Sequence, residues 1–188
     1  MTEEPDPSQQ YADLYVPEDE DPRSQFDDTG DERTILTGYL RWQRETLVLK
    51  CEGLDAEQLA RRAIPPSRMS LLGMIRHLSD VERYWWRQVM AGLDAPRRYR
   101  SPEEPDGEWT NAVADTAMVE EAWSLWREEV AWGDRFVADA ADFDVLSVGD
   151  PDEPANLRSI VVHLIEEYAR HIGHADILRE QIDGRVGQ

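Results

Sequence analysis

The sequence predicts an all-α protein, a four-helix bundle behind an acidic N-terminal arm, and three observations lead there. Apolar residues recur at steps of three and four along four long stretches, Gly and Pro punctuate the gaps between them, and no segment reads as a strand pair. A chain of 188 residues builds one core and is too short for two comfortable ones, so we expect residues 1–30 as the arm and 31–188 as the bundle.

The arm is the simplest element to justify. Met1 to Glu32 holds twelve acidic side chains against one basic, with four prolines, and cannot bury enough apolar surface to offset its ordering entropy. We expect it to be mobile or loosely docked. Its apolar cluster, Tyr11, Leu14, Tyr15 and Val16, is available to pack on the domain or on a second subunit.

The first helix is expected near Asp31 to Glu52, carrying Ile35, Tyr39, Trp42, Thr46 and Leu49 and stopped by Gly53. A short turn of helix, Asp55 to Arg62, precedes the break at Pro65 and Pro66. Ser70 is a good N-cap for the second long helix, which passes through Met74, Leu78, Val81 and Trp85 to Ala91 and halts at Gly92. Leu93 to Thr116 reads as a long loop interrupted by Pro96, Pro102, Pro105 and Gly107, a length usually tied to function or disorder. The third helix is placed from about Met118 to Phe143 on the apolar face Val119, Trp123, Trp126, Val130, Phe136 and Val137. The fourth runs from near Asn156 to Asp183, before Gly184.

Composition excludes several functions. A net charge of -20 repels nucleic-acid phosphates and anionic lipid headgroups, and the Arg97, Arg98, Arg100 cluster is too small to reverse that. No apolar run reaches the roughly twenty residues of a membrane span, and the acidic N-terminus lacks the features of a signal peptide. The single cysteine, Cys51, excludes an internal disulfide and reads as a small buried hydrophobe. The expected location is the cytoplasm.

The fourth helix carries the chemistry. Ile160, Leu164, Glu167, His171, His174 and Leu178 fall within roughly 40° of one line, so a seam that is apolar at both ends is polar in the middle. Buried unpaired, such groups cost several kcal/mol, so each needs a partner or an ion. Glu167 and His171, at i and i+4, can converge on one cation. His77, the one histidine outside this helix, stands between Met74 and Val81, with Gly73 at i-4 leaving room for a close approach. Taken alone His77 is more simply a hydrogen-bonded core residue, and Glu167 with His171 a surface ion pair. Together the three make a divalent metal site between two helices of a bundle. Spacing does not choose between this pair and its rivals, His163 with Glu167 and His171 with His174.

In SLLGMIRHLSDVERYWWRQVMAG, Ser70 to Gly92, and HLIEEYARHIGHADILREQIDG, His163 to Gly184, the sequence resembles the DinB/YfiT-like superfamily and its DUF664 branch, found in bacteria that use mycothiol in place of glutathione. The resemblance spans Asp31 to Gly184. The resemblance implies a four-helix bundle, often a dimer, with a metal held by one residue of the second helix and an i, i+4 pair of the fourth. It puts His77, Glu167 and His171 at the metal, with Glu167 where many members carry a histidine. A His, Glu, His set is similar to that of mycothiol-dependent maleylpyruvate isomerase. That isomerase has a further C-terminal domain, whereas this chain ends at Gln188, so fold and metal site are implied more strongly than isomerisation. His174 then faces the substrate or supports a ligand, and His163, roughly 12 Å along the helix from His171, is too distant to share the ion.

Two imidazoles and a carboxylate suit zinc, with nickel, iron or manganese as alternatives, and leave a position open. The first expectation is a metal-dependent thiol S-transferase in which mycothiol is the nucleophile toward an electrophilic small molecule. A metal-dependent hydrolase, with His174 or Asp80 accepting a proton, is the alternative, and a non-enzymatic metal-binding or stress-linked bundle is a third. Trp109, in the long loop, is placed where it could cover the metal, and Arg76, Arg83, Arg87 and Arg170 read as surface ion pairs. A homodimer is expected from the apolar surface that a small bundle with seven tryptophans can offer.

Overall fold

The long helices start where the sequence supplies a side-chain acceptor for an orphan N–H. The computed structural model of the chain describes Val16 and residues 21–187, so Tyr11, Leu14 and Tyr15 of the expected apolar cluster lie outside the described residues. In α1 (Glu32–Cys51) the Asp31 carboxylate accepts from the Thr34 N–H, and in α2 (Ala56–Ala60) Asp55 and Gln58 form a reciprocal capping box. Ser70 caps α3 (Leu71–Arg83), accepting from Gly73. The rod continues without interruption through a π-helical stretch, Tyr84–Met90, to the expected end at Ala91. Asp115 caps α5 (Thr116–Asp139) and Asn156 caps α6 (Leu157–Asp183), which Gly184 closes in the left-handed conformation at φ 79°. α1, α3, α5 and α6 are the four expected long helices, and among the described residues the only β-pairing is an isolated bridge, Leu146 with Asn156.

Two boundaries differ from expectation. The expected loop after the second helix contains a short helix, α4 (Gly107–Thr110). α5 ends at Asp139 rather than Phe143, because Phe143 and Val145 are needed elsewhere. Their carbonyls accept from the N–H groups of Arg158 and Leu157, the first residues of α6, at 3.0 and 2.8 Å. Apolar periodicity cannot distinguish a buried Phe on a helix from one just past its end.

α1 packs on α6 and α3 on α5, while α3 also touches α6. Every residue from Ser70 to Glu82 is buried except the half-buried His77, so α3 is the central rod. Cys51 is buried as expected, and burial pushes its thiol up to about 12.

At the base of this core lies a polar knot. Arg44 of α1 grips the fully buried Glu82 of α3 with two hydrogen bonds, 2.7 and 2.8 Å, and reaches Asp134 of α5 with a third. The Tyr168 hydroxyl donates to Glu82 at 2.8 Å and accepts from Trp126 Nε1 at 2.8 Å, and Trp86 Nε1 also donates to Glu82. Arg83 and Arg87, read from the sequence as surface pairs, instead close on the fully buried Glu129 of α5. Arg76 is likewise buried, over the Tyr99 ring, while Arg170 pairs with Glu166 at the surface. Residues 21–31 lie along α1, with the Arg23 guanidinium 4.2 Å above the Trp42 ring and Ser24 bonded to Glu45.

Candidate metal centre

α3 and α6 bring His77 and the Glu167/His171 pair face to face. Glu167 Oε1 lies 3.1 Å from His77 Nε2 and 3.4 Å from His171 Nε2, so both imidazoles address a single carboxylate oxygen. One potential ligand atom from each of the three residues falls within 4.8 Å of the others, and the two rings are 4.6 Å apart. Of the competing pairs open to sequence spacing, this is the one to which the fold adds a third group. His163 lies under Trp85, with ring centres 4.6 Å apart.

The long loop supplies two more residues through α4. Glu108, 3% exposed at its side chain, places Oε1 3.4 Å from His77 Nδ1. Trp109 stacks on His77 at 5.3 Å and reaches His171 at 6.2 Å, so it covers the cluster as expected. The space at Gly73 serves this contact: a Cβ there would sit 2.7 Å from the Trp109 ring and 3.3 Å from the Glu108 carbonyl. Glu108 was not singled out from the sequence, because it sits in a segment without periodicity and resembles the other surface acids.

The electrostatics follow from this crowding. Hydrogen bonding to the His171 and His77 rings holds the Glu167 carboxyl well below the usual carboxylate range. Burial works to lower the His77 pKa, but hydrogen bonds and charge from Glu108 and Glu167 outweigh it and raise the pKa above the ordinary histidine value. Burial would raise Glu108, yet His77 brings it down. His174 faces His171 with ring centres 5.4 Å apart, and burial, then the charges of His171 and Arg170, lower its pKa.

Two imidazole nitrogens and one carboxylate oxygen from two helices are a donor set that fits a divalent ion of the zinc type. Unmet hydrogen-bonding capacity is present here as well. His171 Nδ1, His174 Nδ1 and Glu108 Oε2 are buried without a hydrogen-bond partner. Asp80, offered as a proton acceptor by the hydrolytic reading, has its carboxylate engaged by the Arg98 and Tyr99 N–H groups at 2.7 and 3.0 Å.

Comparison with known proteins adds the family. No curated protein matches the chain. Among solved structures, a conserved protein from Enterococcus faecalis is similar over 82% of this chain and 99% of its own, at 15% identity and a TM-score of 0.56, a likeness of fold alone. A family model described as mycothiol-S-transferase matches residues 35–184, which include α3, α4, α6 and all the residues described above. The chain belongs to the mycothiol-S-transferase family, a DinB/YfiT-like family.

Proposed function

We propose that the protein is a metal-dependent S-transferase that joins a small-molecule thiol, mycothiol, to an electrophilic substrate, with His77, Glu167 and His171 holding a divalent metal, best matched by zinc. The observation that carries this reading is the convergence of the three side chains through one shared carboxylate oxygen, where His77 is the half-buried residue in an otherwise buried stretch of α3 from Leu71 to Glu82. A bound ion would supply the Lewis acidity that favours the thiolate over the thiol at neutral pH.

The chain's own residues do the rest. Glu167 brings negative charge between the two imidazoles, and α3 and α6 fix their separation. Trp109 closes one side of the cluster and limits access of bulk water. His174, beside His171 and with an unpartnered Nδ1, is the group to which this reading assigns the thiol proton. The same reading takes the protein as cytoplasmic and homodimeric, with small molecules and not nucleic acid or membrane as partners. The net charge of -20 supports the choice of small molecules over nucleic acid as partners, and no helix among the described residues is long and apolar enough to cross a membrane.

Elemental analysis of purified protein, with His77→Ala, Glu167→Ala and His171→Ala beside it, is the test. About one equivalent of metal in the parent, lost from each variant, and turnover of an electrophile that requires both metal and mycothiol are expected. Metal retained by all three variants, or turnover indifferent to the thiol, overturns the assignment.

A further inference from the structure

The group opposite the metal-facing edge of His77 belongs to no helix of the bundle. Glu108 approaches Nδ1 from α4 while Glu167 approaches Nε2 from α6, so His77 is held at both nitrogens by carboxylates from different parts of the fold. A carboxylate only accepts at these pH values, so the Nδ1 beside Glu108 is the nitrogen that carries a proton. Nε2 is then the atom available as a ligand once its own proton leaves.

The loop is built to present that carboxylate. Arg76 donates to the Gly107 carbonyl at 3.2 Å, and Arg62 donates to the carbonyls of Trp109 and Thr110 at 3.2 and 3.0 Å. Gly107 is so tightly seated that a Cβ would meet the Tyr99 carbonyl oxygen at 2.2 Å, and Trp109 lies directly on Gly73. A four-residue helix pinned at three of its four carbonyls, with its acidic side chain 3% exposed and one oxygen still free, differs from an ordinary surface acid.

We infer that Glu108 is a positioning residue for the metal centre: by accepting the Nδ1 proton of His77 it fixes the ring's tautomer and orientation, and aims Nε2 at the ion. This rests on the metal reading above and adds a residue that ligates nothing itself. Glu108 reaches the opposite edge of His77 from the one that faces Glu167 and His171, which separates supporting a ligand from being one.

Cobalt(II) titration of the full chain tests it, with Kd and the visible d–d spectrum as separate readouts. Glu108→Ala is expected to weaken cobalt binding by about 10–100-fold, with the shape of the spectrum at saturation unchanged. Glu108→Gln keeps an acceptor at the same reach and recovers most of the loss. An unchanged Kd in Glu108→Ala overturns the inference while the metal reading stands. A spectrum of altered shape makes Glu108 a ligand and overturns it too. A parent protein that takes up no cobalt overturns the metal reading and this inference with it. If Glu108→Ala loses its helical circular dichroism, Glu108→Gln and Glu108→Asp carry the same comparison, because Asp falls one carbon short of His77 and is expected to lose affinity where Gln does not.

Discussion

Glu82 and Glu167 are both carboxylates turned into the bundle, one on α3 and one on α6, and the two centres around them are built on opposite principles. Glu82 is fully buried and saturated: Arg44 donates to both oxygens, Tyr168 donates to one and Trp86 to the other. Glu167 meets two imidazoles, whose protons are exchangeable, at one oxygen and the exposed Arg170 at 3.9 Å from the other, and its neighbours His171 and His174 each retain a buried nitrogen without a partner. Tyr168 and Glu167 are adjacent in sequence, so one turn of α6 serves both centres on different faces. A completed network of charges joins helices, whereas an incomplete one leaves capacity for a ligand.

The largest test of that contrast is to remove each carboxylate. Glu82→Ala strands the Arg44 guanidinium in the core and is expected to lower the free energy of unfolding by about 3–5 kcal/mol, read from urea denaturation of metal-free protein. Glu167→Ala is expected to cost the metal-free protein far less and to abolish metal uptake. Equal destabilisation by the two would show that the Glu167 centre is as structural as the other.

A finer cut at the same knot is Tyr168→Phe. It leaves the buried Trp126 Nε1 without its acceptor and Glu82 one donor short, for an expected loss of about 1–3 kcal/mol. Because Tyr168 points away from His77 and His171, metal affinity should stay at the parent value. A coupled fall in both quantities would mean that the two faces of α6 are not independent.

How far these centres can be read from sequence differs for physical reasons. Glu167, His171 and His174 were visible because they interrupt an apolar seam whose period a helix imposes, and His77 because its neighbours on α3 are apolar. The knot was invisible. Arg44 and Glu82 have the composition of an exposed helix face in a chain with forty acidic residues, and only the fold, which brings Arg44 of α1 onto Glu82 of α3, reveals that they are buried. Glu108 is a third case: its role comes from α4, and four helical residues just after Pro105 leave no periodic trace. The helix-capping side chains were legible in part, Ser70 above all, since a cap is a local device.

Acidity acts on the His77–Glu167 cluster in two directions. Carboxylates at both nitrogens raise His77 above the ordinary 6.5, so its share of stability is complete below 6.5 and is lost as pH rises through the raised value. Glu167 is lowered, so its share is complete above 4.5 and is lost as pH falls toward its depressed value. The metal-free cluster therefore contributes most between 4.5 and 6.5 and less in alkali. Metal must displace the Nε2 proton, so its affinity runs the other way, rising with pH by up to about tenfold per unit until His77 has lost that proton. Thermal melts from pH 5.5 to 9, with and without zinc, should diverge toward alkali. A zinc-induced shift independent of pH would remove His77 from the ligand set.

The smallest effect expected is on the far side of α6. Gly173 lies between His171 and His174 in sequence, yet a Cβ added there meets nothing within 4 Å, whereas the same addition at Gly73 runs into Trp109 at 2.7 Å. A glycine inside a helix costs backbone entropy that alanine does not, so Gly173→Ala should stabilise the protein by about 0.5–1 kcal/mol while cobalt affinity stays at the parent value. The residue is exposed and helical with an ordinary φ, so neither strain nor crowding opposes the gain. A rise in stability accompanied by weaker cobalt binding would show that His171 and His174 depend on motion of this turn, and that the open centre is distinguished from the saturated one by mobility as well as by unmet bonds.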